Sequence, residues 1–376
     1  MRLTACVVLA CCALVCIVSI RGWAGGAMAM TYHVAVNGSD SNDGSAGHPF
    51  ATIQKAADVV NPGDTVIVGD GVYTAAGTDD RVVTVRRGGT AERPIIFRAE
   101  HTWGAVVDGR DSATKLGWDL EREARYVTIE GFEIRKLASC GIDSNAGAQH
   151  ITVRGCHIHH IGNIETTTQY GLDGIYDSAE TSYHAYDGNV FHDIGRTGPP
   201  SVLFNLDHGI YTCGKHNAIT NNVFYHMNAG WGVQVAGYKT VDDLIISNNT
   251  FAFGNKRGQI VLWQPCHNVL IQNNIFYKPA VPNAIAFFEA DLKNVVLRNN
   301  LVFGGGLKDD DDNGACRVSD TIAGKDPMLA DPEHGDFHVR AGSPAIGAGI
   351  GDRAPARDMA GTPRPREGCD VGAYQR

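Results

Sequence analysis

Asp207, His208 and Tyr211 fall within five positions in the segment NLDHGIYTCG, residues 205–214. A carboxylate and an imidazole beside a phenol make a set that takes a proton from one atom and delivers one to another. The chain has almost the same phrase earlier, LDGIYD at 172–177, without the histidine. Asp173 and Tyr176 are there the counterparts of Asp207 and Tyr211, with His208 read as a one-residue insertion that bulges the strand and re-aims its side chain. The bland alternative is that Asp207 and His208 only tether a loop by a hydrogen bond. Lys239 and Lys215, in the loops that leave these strands, are further candidate bases.

The repeated phrase belongs to a longer repeat. Two-residue turns followed by an apolar pair recur as GCHI, GNVF, NNVF, NNTF, NNIF and NNLV, with GFEI as a degenerate first copy. The second turn residues are Phe132, Cys156, Asn189, Asn222, Asn249, Asn274 and Asn300, spaced by 24, 33, 33, 27, 25 and 26 residues. An alternating strand precedes each turn, and a short strand of the GIY type lies further upstream. Three short strands in about 25 residues is one coil of a parallel β-helix. Stacking places Ile142, Ile175, Ile210, Val233, Ile260 and Ile285 in one apolar column, and Ile134, Ile158, Phe191, Phe224, Phe251 and Phe276 in another. Asparagine tolerates the left-handed bend and bonds through its amide to the asparagine one rung away, so Asn189 to Asn300 predict an asparagine ladder.

This frame predicts which side chains share a face. If Ile175, Ile210 and Val233 point inward, Tyr176, Tyr211 and Gln234 point outward in one column. Trp263 lies further along, and Trp231 sits with Asp173 and His208 where the loops enter the strands. The two 33-residue coils carry inserted loops, as one wall of a groove requires. A second polar column follows the third strands, with His160, Asp193 and His226 on successive rungs, close enough to share a metal or a proton or to line the same groove.

Residues 1–29 read as an export signal: Arg2, an apolar run ACVVLACCALVCIVSI, then Ala27-Met28-Ala29 as a small-x-small cleavage site. The run is too short to span a bilayer comfortably, so the mature chain is expected outside the cytoplasm without a transmembrane segment. The full chain has a formal charge of -9; the signal holds two arginines and no acids, which leaves 30 basic against 41 acidic residues, or -11. That charge disfavours nucleic acid, and a monomer is expected. Six cysteines remain, without CxxC spacing, and Cys316–Cys369 is the one disulfide considered. The expected organisation is 30–110 as N-terminal strand, capping helix near Phe50–Val60 and first coils, 111–305 as groove-bearing coils, and 306–376 as a loop-rich closure.

The N-terminal block YHVAVNGSDSNDGSAGHPFATIQKAADVVNPGDTVIVGDGVY, the NN coils and the tail DMAGTPRPREGCDVGAYQR resemble secreted bacterial right-handed β-helix proteins of the pectate-lyase-like superfamily, notably chondroitinase B, alginate lyases and family-nine pectate lyases. The resemblance implies an all-β, single-stranded right-handed parallel β-helix with its substrate groove on the outer face of the GIY-type sheet. It also implies β-elimination on a uronic-acid polysaccharide, with calcium as an optional partner. His208 would be the base or carboxylate neutraliser, Tyr211 the acid, Asp207 a further catalytic group, Lys239 an alternative base, and Asp173, Tyr176, Trp231, Gln234, Trp263, His160 and His226 the substrate contacts. The lysine base common in relatives matches no position here. Two other readings stand beside it: a non-catalytic glycan-binding β-helix, and a glycoside hydrolase using facing carboxylates among Asp173, Asp177, Asp207 and Glu289.

Overall fold

The computed structural model describes residues 28–198, 202–254, 258–263, 265–280, 282–288 and 291–376. The segment read as an export signal lies outside these except for Met28 and Ala29, and Glu289 lies outside them too. Short strands stack into three long parallel sheets, and most coils give one strand to each. In the coil of Asp173 these are Asp173–Asp177, Ala185–Asp187 and Val190–Ile194. The next coil repeats them as His208–Thr212, Ala218–Thr220 and Val223–Tyr225. The result is a parallel β-helix.

Both apolar columns form in register, rung by rung: Ile142, Ile175, Ile210, Val233, Ile260 and Ile285 on the first sheet, and Ile134, Ile158, Phe191, Phe224, Phe251 and Phe276 on the third. All are buried. The phenylalanine rings stack with centroids 4.7, 4.7 and 5.3 Å apart. Each such pair adds about 0.5–1.5 kcal/mol beyond its buried area. The glycine of each GI pair is required by this packing: a Cβ on Gly174 would meet the Gly209 carbonyl at 2.6 Å, and one on Gly209 the Gly232 carbonyl at 2.6 Å.

The two asparagines of each NN turn do different work. The second points inward, and the amides of Asn189, Asn222, Asn249 and Asn274 each donate to the next rung's side-chain oxygen at 3.0 Å, ending at Asn300. The first asparagine adopts positive φ and points outward. There Asn221, Asn248, Asn273 and Asn299 donate to the carbonyls of Arg357, Asp370, Ile350 and Ala348, at 2.9, 3.1, 2.8 and 3.1 Å. The C-terminal segment is therefore clasped along the row of turns. Its Leu329, Phe337, Ala345, Val371 and Ala373 cover the outside of the third sheet against Val223, Ile275, Tyr277 and Leu301.

The N-terminal helix, Ile53–Val59, is capped by the Thr52 hydroxyl, which accepts from the Lys55 amide. It buries Ile53, Ala56 and Ala57 over the first coils and covers their open end. Cys316 and Cys369 are both free thiols on separate strands, so the disulfide considered for them does not form. Among the described residues, no helix is long and apolar enough to cross a membrane.

Candidate functional site

Side chains on the outer face of the first sheet line a groove of about 670 Å³ between Ser139 and Trp263. Its floor is one continuous column: Asp143, Tyr176, Tyr211 and Gln234, paired rung by rung. The Tyr176 and Tyr211 rings stack at 5.5 Å. Burial pushes both phenols well above their ordinary value, so they stay protonated. Tyr170, on the first inserted loop, Tyr238 and Trp263 add aromatic surface at the walls. Burial also pushes the Cys140 and Cys213 thiols up, which makes them poor nucleophiles.

The floor continues past Asp143 into a second concavity of about 580 Å³ lined by Asp119, Arg81, Arg122 and Asn145. Asp119 is held by the Arg81 Nε at 2.5 Å and the Asn145 amide at 2.6 Å. Asp143, where the two concavities join, is different. Its Oδ1 is buried with no hydrogen-bond partner. Burial, reinforced by the negative charges of Asp119 and Asp173, pushes its carboxyl up to about 7. A raised carboxyl with one oxygen buried and unpaired is a proton-transfer group poised near neutral pH. Arg122 is exposed on the same wall and forms no salt bridge among the described residues.

The trio of the opening segment is divided by the fold. His208, not Asp207, pairs with Asp173 in the sheet, and Trp231 follows it, so the expected bulge is absent and the register runs on unbroken. His208 is buried at the base of the groove. Its Nε2 lies 3.2 Å from the Asn205 carbonyl, which only accepts, so this nitrogen carries a hydrogen. Its Nδ1 lies 2.9 Å from Asp173 Oδ1 and shares a proton with that carboxyl. Neither ring nitrogen has a lone pair free for a substrate. Burial pushes the Asp173 carboxyl up, and the His208 contact opposes this. Asp207 faces away from the groove: Arg196 grips both its oxygens at 2.7 and 2.8 Å, and the Leu172 and Arg196 amides complete its shell.

The other expected contacts separate in the same way. Tyr176, Tyr211, Gln234, Asp173 and Trp263 line the groove. Trp231 does not: it is buried behind His208, its ring parallel at 6.0 Å. Lys239 is exposed and paired with Glu180 at 3.0 Å, outside the groove lining. Asp177 is buried and accepts from Thr181, Thr212 and Asn217. His160 lies in a strand of the third sheet and His226 follows another, so the expectation that they line this groove is corrected. Asp119, Asp143 and Arg122 were not singled out by sequence, although DL and DS end the strands LGWDL and CGIDS in phase with the tyrosines. Asp119 and Asp143 thus add two acids on adjacent coils to Asp173 on the next. They do not converge on a cation: among the described residues, the sets of three ligand atoms within 4.8 Å are histidine groups on another sheet. Calcium needs six to eight oxygens; among the described residues Asp119 is engaged by Arg81 and Asn145, and Asp173 by His208.

Residues 32–198 match the family model of the Pel9A-like, right-handed beta helix region. The chain is a right-handed parallel β-helix. It is 28% identical to the uncharacterized protein YwoF of Bacillus subtilis over 146 residues, which are 37% of this chain and 30% of that one. It therefore spans less than a third of the length of that relative. It is 23% identical to pectate lyase L of Dickeya chrysanthemi over 308 residues, 73% of this chain and 71% of that protein. Among solved structures it is similar to pectate lyase Pel9A, with a TM-score of 0.51, 16% identity and coverage of 94% and 98% of the two chains.

Proposed function

We propose that this chain is a polysaccharide lyase that cleaves a uronic-acid polymer lying along the groove, with Asp143 as the base. One observation carries this reading: Asp143, raised to about 7 and with its Oδ1 buried and unpaired, stands on the groove floor where the two concavities join. Elimination needs a base for the C5 proton, an acid for the leaving oxygen and a positive charge beside the uronate carboxylate. Asp143 takes the C5 proton, the electrons of that bond form the C4–C5 double bond, and the C4–O bond breaks. The leaving oxygen takes a proton from Tyr176, the next residue of the column, since C4 and C5 are bonded and the two groups must sit one rung apart. Arg122 supplies the charge, and Tyr211, Trp263 and Tyr238 seat the sugar rings. His208 keeps Asp173 and the Asn205 loop in place, and its occupied nitrogens argue against the role of base. The similarity to pectate lyase L over most of both chains supports the choice of elimination.

A second reading, hydrolysis, is favoured by the carboxyls of Asp119 and Asp143 on adjacent rungs, one held by Arg81 and the other raised. One experiment separates them. Mature protein is incubated with polygalacturonate, alginate and a neutral glucan, following both the ultraviolet absorbance of an unsaturated uronide and new reducing ends. Both signals rise together in elimination, and only reducing ends rise in hydrolysis. Binding with neither signal makes the protein a non-catalytic glycan binder.

A further inference from the structure

The third sheet carries a cluster of imidazoles that the groove does not use. His157 and His159 alternate with the buried Ile158 on one strand, so both project outward. His192 stands on the next coil, in register with His159. We infer that His157, His159 and His192 form a binding site for a divalent transition-metal ion of the zinc and copper class.

The ligand nitrogens of the three rings lie within 4.8 Å of one another. Two of the rings are already oriented as metal ligands are. Asp193 Oδ2 lies 2.6 Å from His192 Nδ1, and Glu133 Oε1 lies 3.2 Å from His159 Nε2. A carboxylate on one ring nitrogen fixes the tautomer and raises the basicity of the imidazole. With Nδ1 donating to Asp193, His192 turns the lone pair of Nε2 toward His157 Nε2, 2.7 Å away. Two imidazole nitrogens approach this closely only with a proton between them. A metal ion bound at about 2.0–2.1 Å to each takes the place of that proton when the pair opens to about 3.3 Å, the tetrahedral separation. His159 Nδ1, the nitrogen that the Glu133 contact leaves for a metal, lies 2.7 Å from His160 Nδ1 and turns from it on binding.

Imidazole donors select zinc, copper or nickel over calcium and magnesium, which prefer oxygen. The second possible set, His160, His192 and Asp193, shares His192, so one ion at a time is accommodated. The ion would join two successive coils on a sheet other than that of the groove, and its role is to clip them together rather than to act on the polymer.

The test uses tag-free, chelator-treated protein. Zinc titration by calorimetry should show one ion per chain, cobalt should give visible bands of a low-coordinate site, and zinc but not calcium should raise the unfolding temperature. His192→Gln and His159→Gln should each lose binding by at least tenfold, and Asp193→Asn should weaken it by about 10–100-fold while leaving the three ligands. Asp193→Asn keeps the test open if a histidine variant fails to fold, because the ring stack stays intact. No stoichiometric uptake by the wild-type chain, or unchanged uptake in His159→Gln and Asp193→Asn, overturns the site.

Discussion

Replacing Asp143 by asparagine should stabilise the protein at alkaline pH while abolishing cleavage. The folded-state carboxyl sits at about 7 against an ordinary 3.8. Folding therefore favours the protonated form. That preference contributes fully below the unfolded value and is lost as pH rises through the folded value, above which the folded chain holds a buried negative charge. A difference of about three units at 1.36 kcal/mol each gives a ceiling of about 4 kcal/mol. The side chain is half-buried, so water in the groove offsets part of this, and about 2 kcal/mol is the working figure. Asparagine has nearly the shape of the protonated acid and no charge. At roughly 2 °C per kcal/mol for a chain of this size, Asp143→Asn should melt about 4 °C above wild type at pH 9, by a smaller margin at pH 5, and level with it only below the unfolded carboxyl value. Thermal unfolding followed by circular dichroism at both pH values reads this directly. Equal melting shifts at the two pH values, or a loss of stability at pH 9, would refute the claim that Asp143 is a raised, unpaired carboxyl.

Further outcomes follow from the same geometry. Asn249→Ala removes donors to the Ile219 carbonyl and Asn274 and leaves the Asn222 amide unpaired; a loss of about 2–4 kcal/mol in denaturant unfolding is expected. Asp207→Ala strands the buried Arg196 guanidinium and should cost about 3–5 kcal/mol by the same assay. Tyr176→Phe should lower kcat by about 10²-fold or more with polymer binding retained, as measured by steady-state kinetics and affinity electrophoresis. Arg122→Gln should chiefly raise KM for a uronate polymer and leave binding of a neutral glucan unchanged.

The coils were legible because a solenoid repeats its physics: one inward residue per strand and one bend per turn set the spacing of Ile210, Phe224 and Asn222, and the register follows. The tyrosine column was legible for the same reason, since alternation from Ile175 and Ile210 leaves Tyr176 and Tyr211 outside. What failed was the reading of Asp207. Identity of letters aligned it with Asp173, but hydrogen bonding aligned His208 there, because Arg196 from the preceding turn captures the carboxylate. Asp143 was missed because its importance lies in what it lacks: sequence does not reveal that no donor reaches its Oδ1. Asn221 and its counterparts looked like plain turn residues. Their hold on the C-terminal segment is a contact across more than a hundred residues at Asn221, beyond any local pattern.

The most direct test is the ultraviolet absorbance of polygalacturonate and alginate solutions after addition of the protein, with Asp143→Asn alongside. The account predicts a rise with at least one polymer for the wild-type chain and none for the variant, although the variant folds and still binds that polymer. Reducing ends without absorbance, or a variant that eliminates as fast as wild type, would contradict it.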